Sequence, residues 1–123
     1  MTQEEKELLL KDLCTRLPYN VMCQVEFKEN GKYNSKVMLL SGIFTDEAYF
    51  TTKGGSIYSN EYKPYLFPLS SMTEEQNKEW LYTLSSDYHI TYDTVDWCNK
   101  NHFDYRGLIE KGLAIDATGL NIY

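Results

Sequence analysis

His102, Asp104 and Arg106 stand at alternate positions near the C-terminal end of the chain. Side chains alternate along an extended segment, so there the three would share one face. That face would offer a base, a carboxylate and a cation, enough for a small acid/base or phosphate site in a hydrolase-like enzyme. His89 with Asp87 is a thinner version of the same combination. Cys98 and His102 are spaced to begin a metal site on a helix, but no third or fourth ligand accompanies them. No metal and no cofactor is therefore expected.

The same residues also read as a start and a stop. Asp104 can accept from the free amides of the following turn as an N-cap. Tyr105, Leu108 and Ile109 follow at helical spacing, Gly112 can take the left-handed conformation that ends a helix, and Leu113 can fold back onto the last turn. A short capped helix over Asp104–Leu113, docked on the rest of the domain, is the stronger expectation. Cap, stripe and stop agree with one another, whereas three polar residues at one spacing are a weak signal.

A different chemistry lies in the aromatic content. Eleven Tyr, five Phe and two Trp exceed what one small core can use. Tyr and Trp make contact surfaces, because a rigid apolar ring carries a polar edge. Tyr58, Tyr62, Tyr65 and Phe67 cluster in sequence and are the candidates for such a surface. They would serve a non-catalytic module that binds a host or phage protein, or a small nucleotide by stacking. The plainer alternative is that Tyr suits a pleated sheet.

Length and charge narrow the classes. A chain of 123 residues makes one domain, 1–123, with a core that needs no staples. The net charge is −6, and ten of the eighteen acids but only five of the twelve bases lie in residues 61–123. Such a surface repels a phosphate backbone, which argues against a duplex nucleic-acid partner. Cys14, Cys23 and Cys98 are odd in number and far apart, as expected of buried thiols in a reducing compartment. The N-terminus is charged from Glu4 onward and no apolar run approaches a membrane span. A cytoplasmic protein without a membrane partner is expected.

The positioning elements follow in order. Thr2-Gln3-Glu4-Glu5 is a capping box, and Leu9, Leu10, Leu13, Cys14 and Leu17 form the apolar stripe of a helix over 1–19, stopped by Pro18. Lys11 and Asp12 are expected on the opposite, solvated face. An antiparallel sheet is expected over 20–60. Val21, Cys23, Val25 and Phe27 alternate with polar neighbours, and Asn30-Gly31 signals a type I′ hairpin that pairs Cys23 with Met38. Lys36 to Phe44 is apolar on both sides and should be central or covered, with Gly42 at a bulge. Thr45-Asp46-Glu47 is a turn before a third strand, Ala48 to Thr52, and Lys53-Gly54-Gly55 a turn before a fourth, Ser56 to Ser59. The four strands form a meander that can curl toward a small barrel.

Residues 61–72, with Pro64 and Pro68, read as a linker pinned across the surface. A helical part spans 73–113. Thr73-Glu74-Glu75-Gln76 caps a helix that turns Trp80, Leu81 and Leu84 inward. Thr91 or Asp93 caps the next, with Val95, Cys98 and His102 on one face. The tail, 114–123, has little pattern and can fold back as an edge segment. The expected architecture is α+β: an N-terminal helix, a four-stranded antiparallel meander, then two to three C-terminal helices.

Two long stretches also carry a resemblance. Lys63 to Glu75 and His102 to Leu113, with the opening Thr2 to Cys14 and the ending Leu113 to Asp116, are similar to a family of short proteins encoded by phages and mobile elements of gut bacteria. The resemblance implies a phage or prophage origin. It implies no activity, cofactor or catalytic residue.

Overall fold

The computed structural model describes residues 1–44 and 47–123. Helix α1 (Gln3–Arg16) opens with the expected capping box: Thr2 Oγ1 accepts from Glu5 N and Glu5 Oε1 accepts from Thr2 N. Strands β1 (Met22–Glu29), β2 (Lys32–Ile43), β3 (Ala48–Thr52) and β4 (Gly55–Ser59) form the antiparallel meander. Asn30 and Gly31 take φ of 51° and 79°, the positive values a type I′ turn requires, and Cys23 stands opposite Met38. The register shifts between Leu40 and Gly42, so the glycine marks a bulge. β2 is central, but Val37 on its outer face is 38% exposed, so that face is not covered. The turn expected at Thr45-Asp46-Glu47 falls partly outside the described residues.

The Pro-containing segment is a strand and not a linker. β5 (Tyr62–Pro68) pairs antiparallel with β1. Glu26 N donates to Glu61 O, so the next hydrogen-bonded pair along this ladder is Gln24 with Lys63. Pro64, opposite Cys23, falls where the ladder toward β1 needs no N–H. Two short strands pair β5 in parallel, β6 (Phe103–Asp104) and β7 (Ile115–Asp116), so the tail does return to the sheet. The strand order is β4-β3-β2-β1-β5-β6, with β7 also on β5. A four-stranded count is therefore too low. The sheet curls enough for Ser59 Oγ at the end of β4 to donate to Glu26 O of β1. It stays open all the same: among the described residues no ladder joins β4 to β1 or β5, so there is no closed barrel.

The core lies between α1 and the concave face of the sheet. Leu9 and Leu13 meet Val21, Cys23, Val25, Met38, Leu40, Phe50 and Leu66, all 2% exposed or less. Leu108, Leu113 and Ala114 from the C-terminal turns complete it. After the sheet come α2 (Glu74–Thr83) and α3 (Tyr92–Lys100), capped by Thr73 and Thr91.

The third helix, expected over Asp104–Leu113, is a single capped turn. Its ends are as the sequence suggests. Asp104 Oδ1 and Oδ2 accept from Leu108 N and Ile109 N, both at 2.9 Å. Gly112 N donates to Ile109 O, Leu113 N donates to Leu108 O, and Gly112 has φ of 74°. That is a Schellman stop. Start and stop leave room for only one turn, because Asp104 itself belongs to β6 and its carboxylate reaches amides four and five residues on.

Candidate functional site

The structure does not bring His102, Asp104 and Arg106 together. They sit where β6 ends and the chain turns, and each faces a different neighbour. The His102 ring stacks on Tyr123, centroids 3.7 Å apart, with its backbone at φ 63° and its buried Nδ1 without a hydrogen-bond partner among the described residues. Burial, helped by the Arg16 guanidinium, lowers the imidazole pKa to about 4. Asp104 is occupied with two amides of the capped turn. Arg106 Nε donates to Asp12 Oδ1 at 3.1 Å. A residue locked as a cap and a ring locked by stacking are not free to move protons. His89 and Asp87 lie exposed in the α2–α3 connection. Cys98 is buried and its thiol is pushed up to about 11 by burial, and among the described residues no cluster of metal ligands forms.

A buried ionic group lies beneath this corner, and it includes Asp12, expected on the solvated face of the helix. Asp12 and Arg16 are both 0% exposed. Arg16 Nε donates to Asp12 Oδ2 at 2.6 Å, and Nη2 donates to Phe103 O at 2.7 Å. The Tyr105 ring lies against both guanidiniums, 5.2 Å from that of Arg16 and 5.0 Å from that of Arg106. Leu9, Asp12, Leu13 and Arg16 form an i, i+3, i+4, i+7 stripe, so helical spacing alone could have found the pair. Cys14, taken as part of the apolar stripe, is exposed instead. This group ties α1 to β6 and is structural.

The proposed aromatic surface also divides. Tyr62 is 6% exposed and packs on Phe50 with ring centroids 5.3 Å apart. Tyr65 is 7% exposed, and Phe67 is half-buried against Phe103 and Tyr123. These three belong to β5 and fill the interior, which is why a segment read as a linker was so apolar. Only Tyr58 is open to solvent, at 59%, on an outer-face cluster with Tyr49 and Phe44.

The main exposed aromatic surface is on the helical part, where the sequence reading turned Trp80, Leu81 and Leu84 inward. No residue of α2 is fully buried. Tyr82 is 90% exposed, Tyr88 77%, Ile90 64%, Tyr92 92% and Leu81 42%. Three threonines hold this surface in one place. The hydroxyls of Thr91 and Thr94 both donate to Thr83 O, at 2.7 and 3.0 Å, which latches the end of α2 to the start of α3. Tyr82 adjoins one side of the latch and Tyr92 the other. Between them the connection is tied by Ser85 N to His89 O and Tyr88 N to Ser85 O. The rings are thus presented on an ordered frame. The signal was present in the spacing, since two short helices cannot bury Trp80, Leu81, Tyr82, Leu84, Tyr88, Ile90 and Tyr92 together.

Two larger clefts lie elsewhere among the described residues. One of about 460 Å³ is lined by Glu5, Glu26, Glu61, Lys63 and Lys111, with Tyr62 among its walls. The other, of about 360 Å³, places Lys28, Glu29 and Lys36 over Phe27, Met38 and Ile57. Neither includes His102, Asp104 or Arg106. Among the described residues no helix is long and apolar enough to cross a membrane. No family model, no curated protein and no solved structure matches the chain.

Proposed function

We propose that this protein is a non-catalytic binding module, an accessory protein of a phage or mobile element that contacts a host or phage protein through exposed aromatic rings. The observation that carries the reading is the latched α2–α3 surface, where Tyr82 and Tyr92 are about nine-tenths exposed on a hydrogen-bonded frame. Large rings held rigidly in water give a partner contact area at little ordering cost, which is how aromatic anchors contribute to interfaces. The aromatic contact region is Leu81, Tyr82, Tyr88, Ile90 and Tyr92, with Tyr58 as a smaller separate patch, while Tyr62, Tyr65 and Phe67 pack inside. The origin rests on the resemblance of the Lys63–Glu75 and His102–Leu113 stretches.

The test is a comparison of two surfaces. A Tyr82→Ser, Tyr92→Ser double variant changes only exposed rings and should unfold at the same denaturant concentration as the parent. Proteins retained by the parent from host lysate should be lost from this variant and kept by Tyr58→Ser. Equal retention by all three would place the contact elsewhere and sink the proposal.

A further inference from the structure

We infer that the partner segment seated on the α2–α3 surface is cationic and amphipathic, a stretch of protein chain that alternates Lys or Arg with apolar side chains. The inference rests on the binding reading above and adds the chemistry of the occupant. Residues 73–101 carry Glu74, Glu75, Glu79, Asp87, Asp93 and Asp96 against Lys78 and Lys100 only. This one unit therefore holds most of the acidic excess of the molecule.

The acids are interspersed with the rings. On α2, Glu75, Lys78 and Glu79 precede Tyr82 by seven, four and three residues, so two acids and one base share its helical face, with Glu79 also accepting from Trp97 Nε1. Asp87 adjoins Tyr88 in the connection, and Asp96 follows Tyr92 by one turn of α3. Tyr82, Tyr88 and Tyr92 supply exposed rings, and the carboxylates stand near each of them along the chain. Lysine and arginine suit such a surface twice over, through the carboxylates and through the ring faces. The patch around Tyr58 lacks this bias. Tyr58, Tyr49 and Phe44 belong to residues 20–60, where acids and bases are equal in number. An acidic segment or a nucleic acid would meet repulsion at the α2–α3 surface.

The experiment titrates the ¹⁵N-labelled full chain with two synthetic helical peptides, one built from Leu and Lys and its counterpart built from Leu and Glu. Amide shifts locate the contact. The Leu/Lys peptide should move amides of residues 81–92 and the Leu/Glu peptide should not. Glu75→Gln, Asp87→Asn and Asp96→Asn combined should weaken the contact about tenfold, and so should Tyr82→Ser with Tyr92→Ser. Both variants change exposed side chains, so their unperturbed spectra serve as the check on folding.

Three results would overturn the inference. The Leu/Glu peptide could bind as well as the Leu/Lys peptide. The Leu/Lys peptide could bind the tyrosine variant as tightly as the parent, which would reduce the effect to bulk charge attraction. Or neither peptide could bind. In that last case the binding reading is judged separately, by whether the Tyr82→Ser, Tyr92→Ser variant still retains the lysate partner.

Discussion

Arg16 holds Asp12 from one turn further along α1, Nε to Oδ2 at 2.6 Å, with neither side chain exposed to solvent. Arg106 reaches the same carboxylate from the far end of the chain, Nε to Oδ1 at 3.1 Å. Asp12 is thus shared by two guanidiniums, one four residues away in sequence and the other ninety-four. Removing it strands a buried cation. Asp12→Ala should therefore destabilise the fold by about 3–5 kcal/mol, and Arg16→Ala by a similar amount. The double variant Asp12→Leu, Arg16→Met should cost less than the two single changes added together, because no buried Arg16 charge remains without its carboxylate. Urea unfolding curves of the four proteins measure this directly.

Asp104 gives a second stability test. Its carboxylate satisfies two amides of the capped turn, one of them on the fully buried Leu108. Asp104→Ala should lower the unfolding free energy by about 2 kcal/mol, since a cap is lost and a buried N–H is left unpaired. His102→Ala should leave those two amides protected from hydrogen exchange. If Asp104→Ala proved neutral, the capped turn would not be what closes the C-terminal corner.

The pH dependence follows from His102. Folding holds its imidazole pKa down at about 4, against the usual 6.5, through burial and then the Arg16 charge. Between those values the unfolded chain binds a proton that the folded chain does not. Stability from neutral His102 is complete above about 6.5 and is lost as pH falls toward 4. His102→Asn removes the titration, and Asn tolerates the left-handed backbone found there at φ 63°. Its unfolding free energy should fall less steeply than the parent's between pH 6.5 and 4. Parallel curves would contradict the assignment.

The three thiols should separate by reactivity. Cys14 is exposed, whereas Cys23 and Cys98 are buried and burial raises both their pKa values. A thiol reagent at pH 8 should modify one cysteine quickly in the native protein and all three after denaturation. Fast modification of Cys23 would mean that the interface of α1 with the sheet opens readily.

Much of the framework could be read from local chemistry. The Thr2 and Thr73 capping boxes, the Asn30-Gly31 hairpin, the bulge at Gly42 and the Gly112 stop each depend on residues close in sequence, and each is found in place. What escaped depends on partners far away. β5 was hidden because Pro64 and Pro68 weigh against a central strand, and only the register against β1 shows that Pro64 needs no donor there. β6 and β7 have two residues each, too few for any periodicity. Asp12 is expected in solvent from its charge, though its spacing with Leu9, Leu13 and Arg16 is that of a buried stripe. Tyr62 and Tyr65 were placed outside by composition, and their burial follows from β5 being a strand. The end of α2 and the start of α3, which carry Tyr82 and Tyr92, are joined by the threonine latch, which no short-range pattern reveals.

The proposed contact with a partner lies on the α2–α3 surface, through its exposed rings and the carboxylates beside them. Hydrogen exchange of the full chain, read with and without the partner retained from host lysate, tests it most directly. Binding should slow exchange in residues 81–92 and leave β5 and the His102–Arg106 corner unchanged. Protection confined to β3 and β4 around Tyr58, or to the His102–Arg106 corner, would contradict it.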